Sequence, residues 1–258
     1  MSGVAVTPEW IVLEEFESDG AFHMHRDESL ALERVHDSGL PNILRLYSWR
    51  PAALSLGYQQ RMESVDVLAC ADRGIDVVRR PTGGRAVLHK NELTYAVIWR
   101  VPFDIGINAS HNLIVEALVA SLSDLGAAGL ELSDPRATIK EEYRPGSLSN
   151  AACFLSTSRH EVTFDGRKTI GSAQRRFGNV LLQHGSILLN KEHLLLPELL
   201  ELSEDDRGRM RVLLERQTSD LSQVFGREIS IKDAANSISS TFVTHICSAA
   251  ESFISKAV

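Results

Sequence analysis

Cys153 and Lys168 stand 15 positions apart in a chain of 258 residues, and they are the pair of side chains best suited to covalent chemistry. A thiol with its reference pKa of about 8.5 is mostly protonated at neutral pH, so a neighbouring ammonium that favours thiolate raises its nucleophilicity. Cys153 follows the loop-like run Arg144-Pro145-Gly146-Ser147. Asp165-Gly166, between His160 to Phe164 and Arg167 to Gly171, is a two-residue hairpin signal because both positions tolerate positive φ. That turn predicts Phe164 opposite Arg167 and Thr163 opposite Lys168, and it can bring Lys168 beside Cys153. A hairpin lysine is also commonly a solvated surface group, so the spacing leaves the contact open. Cys70 and Cys247 each sit inside an apolar helical pattern and are expected to be buried and inert.

A second concentration of chemistry is Arg79-Arg80-Pro81-Thr82-Gly83-Gly84-Arg85-Ala86-Val87-Leu88-His89-Lys90. Two adjacent glycines among arginines, with apolar stretches on either side, put bare backbone and positive charge at one tight bend, as an anionic or carbonyl-bearing ligand requires. A Gly-Gly pair between strands is equally an ordinary loop, and a lone histidine such as His89 or His184 is equally a hydrogen-bonded structural group. A basic segment of the same kind, with Arg167, Lys168, Arg175 and Arg176, lies downstream. If the two segments meet, they form a positive patch able to steer an acidic partner.

The run from Arg79 to Tyr95 is followed in order by Ala151-Ala152-Cys153-Phe154, Glu161, Gly166-Arg167-Lys168-Thr169-Ile170-Gly171-Ser172-Ala173-Gln174 and Leu182-Gln183-His184-Gly185-Ser186. Together these blocks resemble the signature of the lipoate-protein ligase and octanoyltransferase superfamily, over residues 25 to 190. The Ala152-Cys153-Phe154 context is similar to that of the ligase-like octanoyltransferases that carry a catalytic cysteine. The resemblance implies an α+β fold, a mixed and largely antiparallel sheet flanked by helices, as in biotin and lipoate ligase catalytic domains.

It also implies two-step acyl transfer. The Cys153 thiolate would attack the thioester of octanoyl acyl carrier protein, and a lysine of a lipoyl domain, of a 2-oxoacid dehydrogenase or of the glycine cleavage H protein, would then take the octanoyl group. Lys168 would contact the acyl carbonyl. Arg79, Arg80, Gly83, Gly84, Arg85, His89, Gly171, Ser172, Ala173, His184 and Gly185 would form the substrate site. No cofactor is required, because a thioester is already activated. The rival is an ATP-dependent lipoate-protein ligase, which would need ATP and Mg; Arg85, where ligases often show a third glycine, and Cys153 count against it. A donor role for octanoylated H protein is a further alternative, and a noncatalytic acyl-binding module is the alternative from another class. The Gly-Arg-Gly-Arg loop usual in biotin-protein ligases is absent.

Periodicity outlines the scaffold these residues need. Residues 8 to 14 read as an opening strand, and residues 27 to 36 as a helix with Leu30, Leu32 and Val35 on its apolar face and a glycine cap at Ser38-Gly39. Strands are expected over 42 to 49 and 53 to 57, and a helix over 65 to 73 with Val65, Leu68 and Cys70 inward. Strands over 76 to 80 and 93 to 100 flank the glycine bend, and residues 111 to 125 form an amphipathic helix. Val180 to Leu189 is a strand whose polar stretch at Gln183 to Ser186 is also readable as a bulge. Residues 191 to 258 turn helix-rich, with amphipathic stretches at Arg209 to Val224 and Ile231 to Lys256. The expected organisation is a catalytic core over residues 1–190 and a helical C-terminal part over residues 191–258 packed on the same domain. Leu56, Tyr58, Val78 and Ala151 are the candidates for an acyl slot.

Composition narrows the partners. With 43% hydrophobic residues the chain can bury one substantial core. A net charge of −7 argues against general nucleic-acid binding. No run of 18 apolar residues and no signal-peptide pattern occur, so neither a membrane span nor export is expected. Three scattered cysteines suit the reducing cytoplasm, and no histidine spacing predicts a metal site.

Overall fold

The computed structural model describes residues 9–102, 105–133, 152–155 and 161–257. The chain opens with strand β1 (Trp10–Ser18) and helix α1 (Gly20–His36), which starts where the Asp19 carboxylate accepts the Phe22 N–H. Strands β2 (Asn42–Trp49) and β3 (Ala53–Leu56), helix α2 (Val67–Asp72), and strands β4 (Asp76–Arg79), β5 (Val87–His89) and β6 (Leu93–Arg100) follow. Helix α3 (Ile107–Asp124) and strand β7 (Leu130–Leu132) precede the hairpin β8 (Val162–Phe164) and β9 (Arg167–Phe177), and β10 (Val180–Ile187) runs back along β9. After a 3-10 segment over Lys191–Leu199 come α4 (Glu204–Gln217), α5 (Leu221–Phe225) and α6 (Ile231–Ala257).

Among the described residues the strands form a seven-stranded sheet, β1-β2-β6-β10-β9-β8-β7, and a three-stranded sheet, β4-β3-β5. The large sheet is parallel at β1/β2 and antiparallel at every other pair. This is the α+β arrangement that the sequence predicts. Strict alternation in β6 sorts the core: Leu93, Tyr95, Val97 and Trp99 face α3 and α6, while Ala96 and Ile98 face α1. A third cluster joins the small sheet to the 191–199 segment, α4 and Phe154. Each large apolar side chain so buried contributes about 1.5–3 kcal/mol.

The hairpin forms as expected, with Phe164 opposite Arg167, Thr163 opposite Lys168, and positive φ at Asp165 (52°) and Gly166 (69°). Other expectations change. Helix α1 begins at Gly20, and it ends at Asp37, whose carboxylate accepts the Gly39 N–H at 2.8 Å, so the glycine cap does not form. Leu32 and Val35 are exposed, and the buried face instead carries His23, Met24, Asp27, Leu30 and Ala31. Leu68 is also exposed, because α2 is only six residues long and turns Cys70 inward. Strand β10 keeps one register against both neighbours from Val180 to Ile187, so no bulge interrupts it. The stretch 209–224 breaks into α4 and α5 where Thr218 and Ser219 turn to the backbone of Lys168.

Candidate active site

Sheet register builds the site. Gly171, Ser186, Thr94 and Tyr47 lie opposite one another across β9, β10, β6 and β2, and Ala173, His184, Ala96 and Arg45 form the next row. Small residues in the β9 to β6 part of these rows leave a trough, and the bulk of Tyr47 and Trp49 closes it at β2. The result is a narrow cavity, to which Met24, Ser55, Arg80, Val87 and His89 also contribute. Of the residues expected to bind substrate, Arg80, His89, Gly171, Ser172, Ala173, His184 and Gly185 line it.

The glycine bend is shaped by Arg80. This buried guanidinium donates to the carbonyls of Ser55 (3.0 Å), Gly83 (2.9 Å) and Arg85 (2.7 Å), which ties the bend to β3. Gly84, at φ 98°, passes so close that a Cβ would stand 2.6 Å from Arg80 Nη2, and a Cβ on Gly57 would stand 1.9 Å from the Gly84 carbonyl oxygen. These glycines serve chain packing. Gly83 differs: nothing lies within 4 Å of where its Cβ would be, so a ligand can approach its backbone. Arg79 is exposed and spends Nη1 on the carbonyls of Gly57, Tyr58 and Gln60. Arg85 is half-buried beside the bend. The two basic segments do meet, since Arg175 donates to the Pro81 carbonyl at 3.0 Å.

Both candidate histidines are engaged by the protein. His184 Nδ1 hydrogen-bonds the buried Asp27 carboxylate at 2.9 Å, and Nε2 hydrogen-bonds the Thr82 hydroxyl at 2.6 Å. The order Asp27–His184–Thr82 matches a hydrolase triad, yet Thr82 is fully buried and does not line the cavity, so the chain locks the bend to the sheet. Burial alone would raise the Asp27 carboxyl; the His184 hydrogen bond, the Arg45 charge at 2.7 Å and the Tyr47 hydroxyl outweigh it and hold the carboxyl below its ordinary value. His89 bonds Ser55 through Nε2 (2.8 Å) and Glu92 through Nδ1 (3.1 Å), stacks on Trp49 at 4.0 Å, and is held below its ordinary pKa by burial. Ser186 also donates to Glu92, at 2.6 Å.

The Cys153 side chain, Ala151 and Arg144 to Ser147 lie outside the described residues, but the chain around Cys153 is placed on both flanks. Ala152 bridges Ala86 of the glycine bend in parallel, and residues 153–155 form a 3-10 turn. Phe154 then packs against the bare Cα of Gly171 and beneath Lys168 Nζ, 5.4 Å from its ring centre. Lys168 is buried and pairs with Glu161 Oε1 at 2.5 Å. Cys70 and Cys247 stand apart from this region, and burial pushes both thiols up.

Several expectations fail here. Leu56 is in the core of the small sheet, Tyr58 is exposed, and Val78 packs on α1, so none of them lines the cavity. The residues that the sequence did not single out are Met24, Asp27, Arg45, Trp49, Thr82 and Glu92. One signal was available: His23 and Asp27 at i and i+4 share a helix face, opposite Arg45 and Tyr47 at i and i+2 of a strand. Among the described residues no cluster of three or more His, Cys, Asp or Glu is arranged to hold a metal, and no helix is long and apolar enough to cross a membrane.

Comparison with known proteins adds three findings. The family model for the lipoyl protein ligase A/B catalytic domain matches residues 19–243. The octanoyltransferase LipM of Moorella thermoacetica is 40% identical over 225 residues, covering 85% of this chain and 80% of its own, and LipM of Carboxydothermus hydrogenoformans is 38% identical over 229 residues, covering 87% and 81%. A solved structure of the bipartite lipoate protein ligase of Thermoplasma acidophilum superposes with a TM-score of 0.69 at 22% identity, covering 96% of this chain and 92% of that one, which is likeness of fold.

Proposed function

The chain belongs to the lipoyl protein ligase A/B catalytic-domain family, and from that premise we propose that this octanoyltransferase of protein lipoylation takes its acyl group from an acyl carrier protein thioester, holds it on Cys153 and passes it to a lysine of a lipoyl domain. One observation carries the reading: the backbone at Cys153 is pinned between the glycine bend, through Ala152 and Ala86, and Lys168, through Phe154. On this reading the acyl carbonyl sits beside that turn, at the β9 end of the cavity, where Phe154 packs on Gly171. The eight-carbon tail would fill the trough toward Trp49, each buried methylene adding about 0.8 kcal/mol.

In the first step the Cys153 thiolate adds to the thioester carbonyl, the C–S bond to the carrier breaks, and the departing thiolate takes up one proton. In the second, the acceptor amine adds to the acyl-cysteine carbonyl and the C–S bond to Cys153 breaks. The amine's proton passes to the released cysteine, leaving an amide. Lys168 supplies positive charge where the carbonyl oxygen becomes negative. The exposed backbone of Gly83 is open to the pantetheine arm or the acceptor lysine. The reaction needs neither ATP nor metal, since the thioester provides the driving force.

Intact-mass spectrometry after mixing the protein with octanoyl acyl carrier protein, without ATP, tests this directly. An octanoyl adduct on the wild type and none on Cys153→Ala is the expected result. No adduct on the wild type would overturn the thioester-donor reading and leave ATP with lipoate, then octanoylated H protein, as donors to try.

A further inference from the structure

Two hollows in the protein share a wall. One is the acyl cavity; the other is an open surface groove bordered by Ala21, Tyr58, Val78 and Pro81 and by the charged Glu28 and Arg79. Met24 and Arg80 line both. Arg80 cannot swing aside without giving up its hydrogen bonds to Ser55, Gly83 and Arg85. Met24 holds its place by packing alone, in the cluster with Tyr47, and its unbranched thioether chain has three rotatable bonds. The movable part of the wall is therefore Met24.

The trough crosses β9, β10, β6 and β2, three strand spacings or roughly 14 Å. Met24, on α1, packs in one cluster with Tyr47 of β2 and stands between the cavity and the groove. We infer that Met24 sets the acyl chain length: it closes the cavity behind an eight-carbon tail and bars a longer one from the groove beyond. This rests on the reading above that the trough holds the acyl tail. Ala21, Val78, Pro81 and the Tyr58 ring form an apolar side of the groove, beside His25, Glu28 and Arg79, and give a longer tail somewhere to go once the wall is lowered.

Equilibrium dialysis of the protein with free fatty acids of eight, ten, twelve and fourteen carbons reads the wall without requiring Cys153 chemistry. Met24→Ala should raise the affinity for dodecanoate relative to octanoate at least tenfold, and Met24→Leu, which keeps the volume, should leave the ratio as in wild type. Adding Ala21→Phe to Met24→Ala fills the groove from an exposed position and should restore the octanoate preference. If Met24→Ala does not fold, Met24→Val takes its place, with the shift expected at decanoate. Octanoate binding with an unchanged ratio in a folded variant would overturn the role of Met24 alone. A wild type that binds no fatty acid of this series would overturn the acyl reading of the trough as well.

Discussion

Lys168 Nζ lies 2.5 Å from Glu161 Oε1 and 5.4 Å from the centre of the Phe154 ring, with both charged side chains buried. The carboxylate thus fixes the lysine from one side while the residue after Cys153 supports it from another. Glu161→Gln removes the carboxylate charge that the Lys168 ammonium pairs with at 2.5 Å. We expect a stability loss of about 3 kcal/mol by urea denaturation and a fall in the rate of octanoyl transfer. Replacing both partners by apolar residues, Glu161→Leu with Lys168→Met, should recover most of the stability and none of the activity. Equal stability of wild type and Glu161→Gln would show that solvent or another group compensates the lysine.

How far such relationships could be read in advance depended on range. The Asp165-Gly166 turn is local, so its register, Thr163 with Lys168 and Phe164 with Arg167, followed from two residues. The glycine bend and the strand leading into it were legible for the same reason; β5 (Val87–His89), which leaves the bend, was not expected. Helix α1 was misread because its buried face is polar: His23 and Asp27 turn inward to meet Arg45 and Tyr47, partners separated from them by a loop. A periodicity of apolar residues cannot report a face that is buried for its hydrogen bonds. His184 shows the same limit, since its partners Asp27 and Thr82 are 157 and 102 positions away.

Glycines in the site separate into those that serve the protein and one that is open to a ligand. A Cβ on Gly185 would stand 2.4 Å from the Gly171 carbonyl oxygen and 2.6 Å from the Tyr95 ring, neither of which can retreat within the sheet. Gly185→Ala should cost at least about 2 kcal/mol, in the range of overpacked cores. Gly83→Ala meets nothing within 4 Å and should leave the melting temperature within a degree or two while lowering transfer activity. Thermal unfolding of the two variants side by side checks this; equal losses would mean that the sheet relaxes around Gly185.

Two buried histidines tie stability to pH. Burial pushes both His23 and His193 down to about 4, helped at His23 by the Arg45 charge and opposed at His193 by the Asn190 carbonyl. In the unfolded chain each titrates near about 6.5. Between these values the unfolded state binds protons that the folded state does not, so stability is complete above pH 6.5 and is lost as pH falls toward 4. With two such groups the slope near pH 5 reaches about 2–3 kcal/mol per pH unit. His193 also touches the site, through Thr218 Oγ1 at 2.7 Å and the Phe154 ring at 6.0 Å, and Thr218 bridges the Lys168 backbone. His193→Gln can keep the bond to Thr218 and removes one proton from the uptake, so it should cut the slope by about 1.4 kcal/mol per pH unit. Urea denaturation of both proteins at pH 5 and pH 7 measures this, and an unchanged slope in the variant would mean that His193 carries its proton in the folded protein.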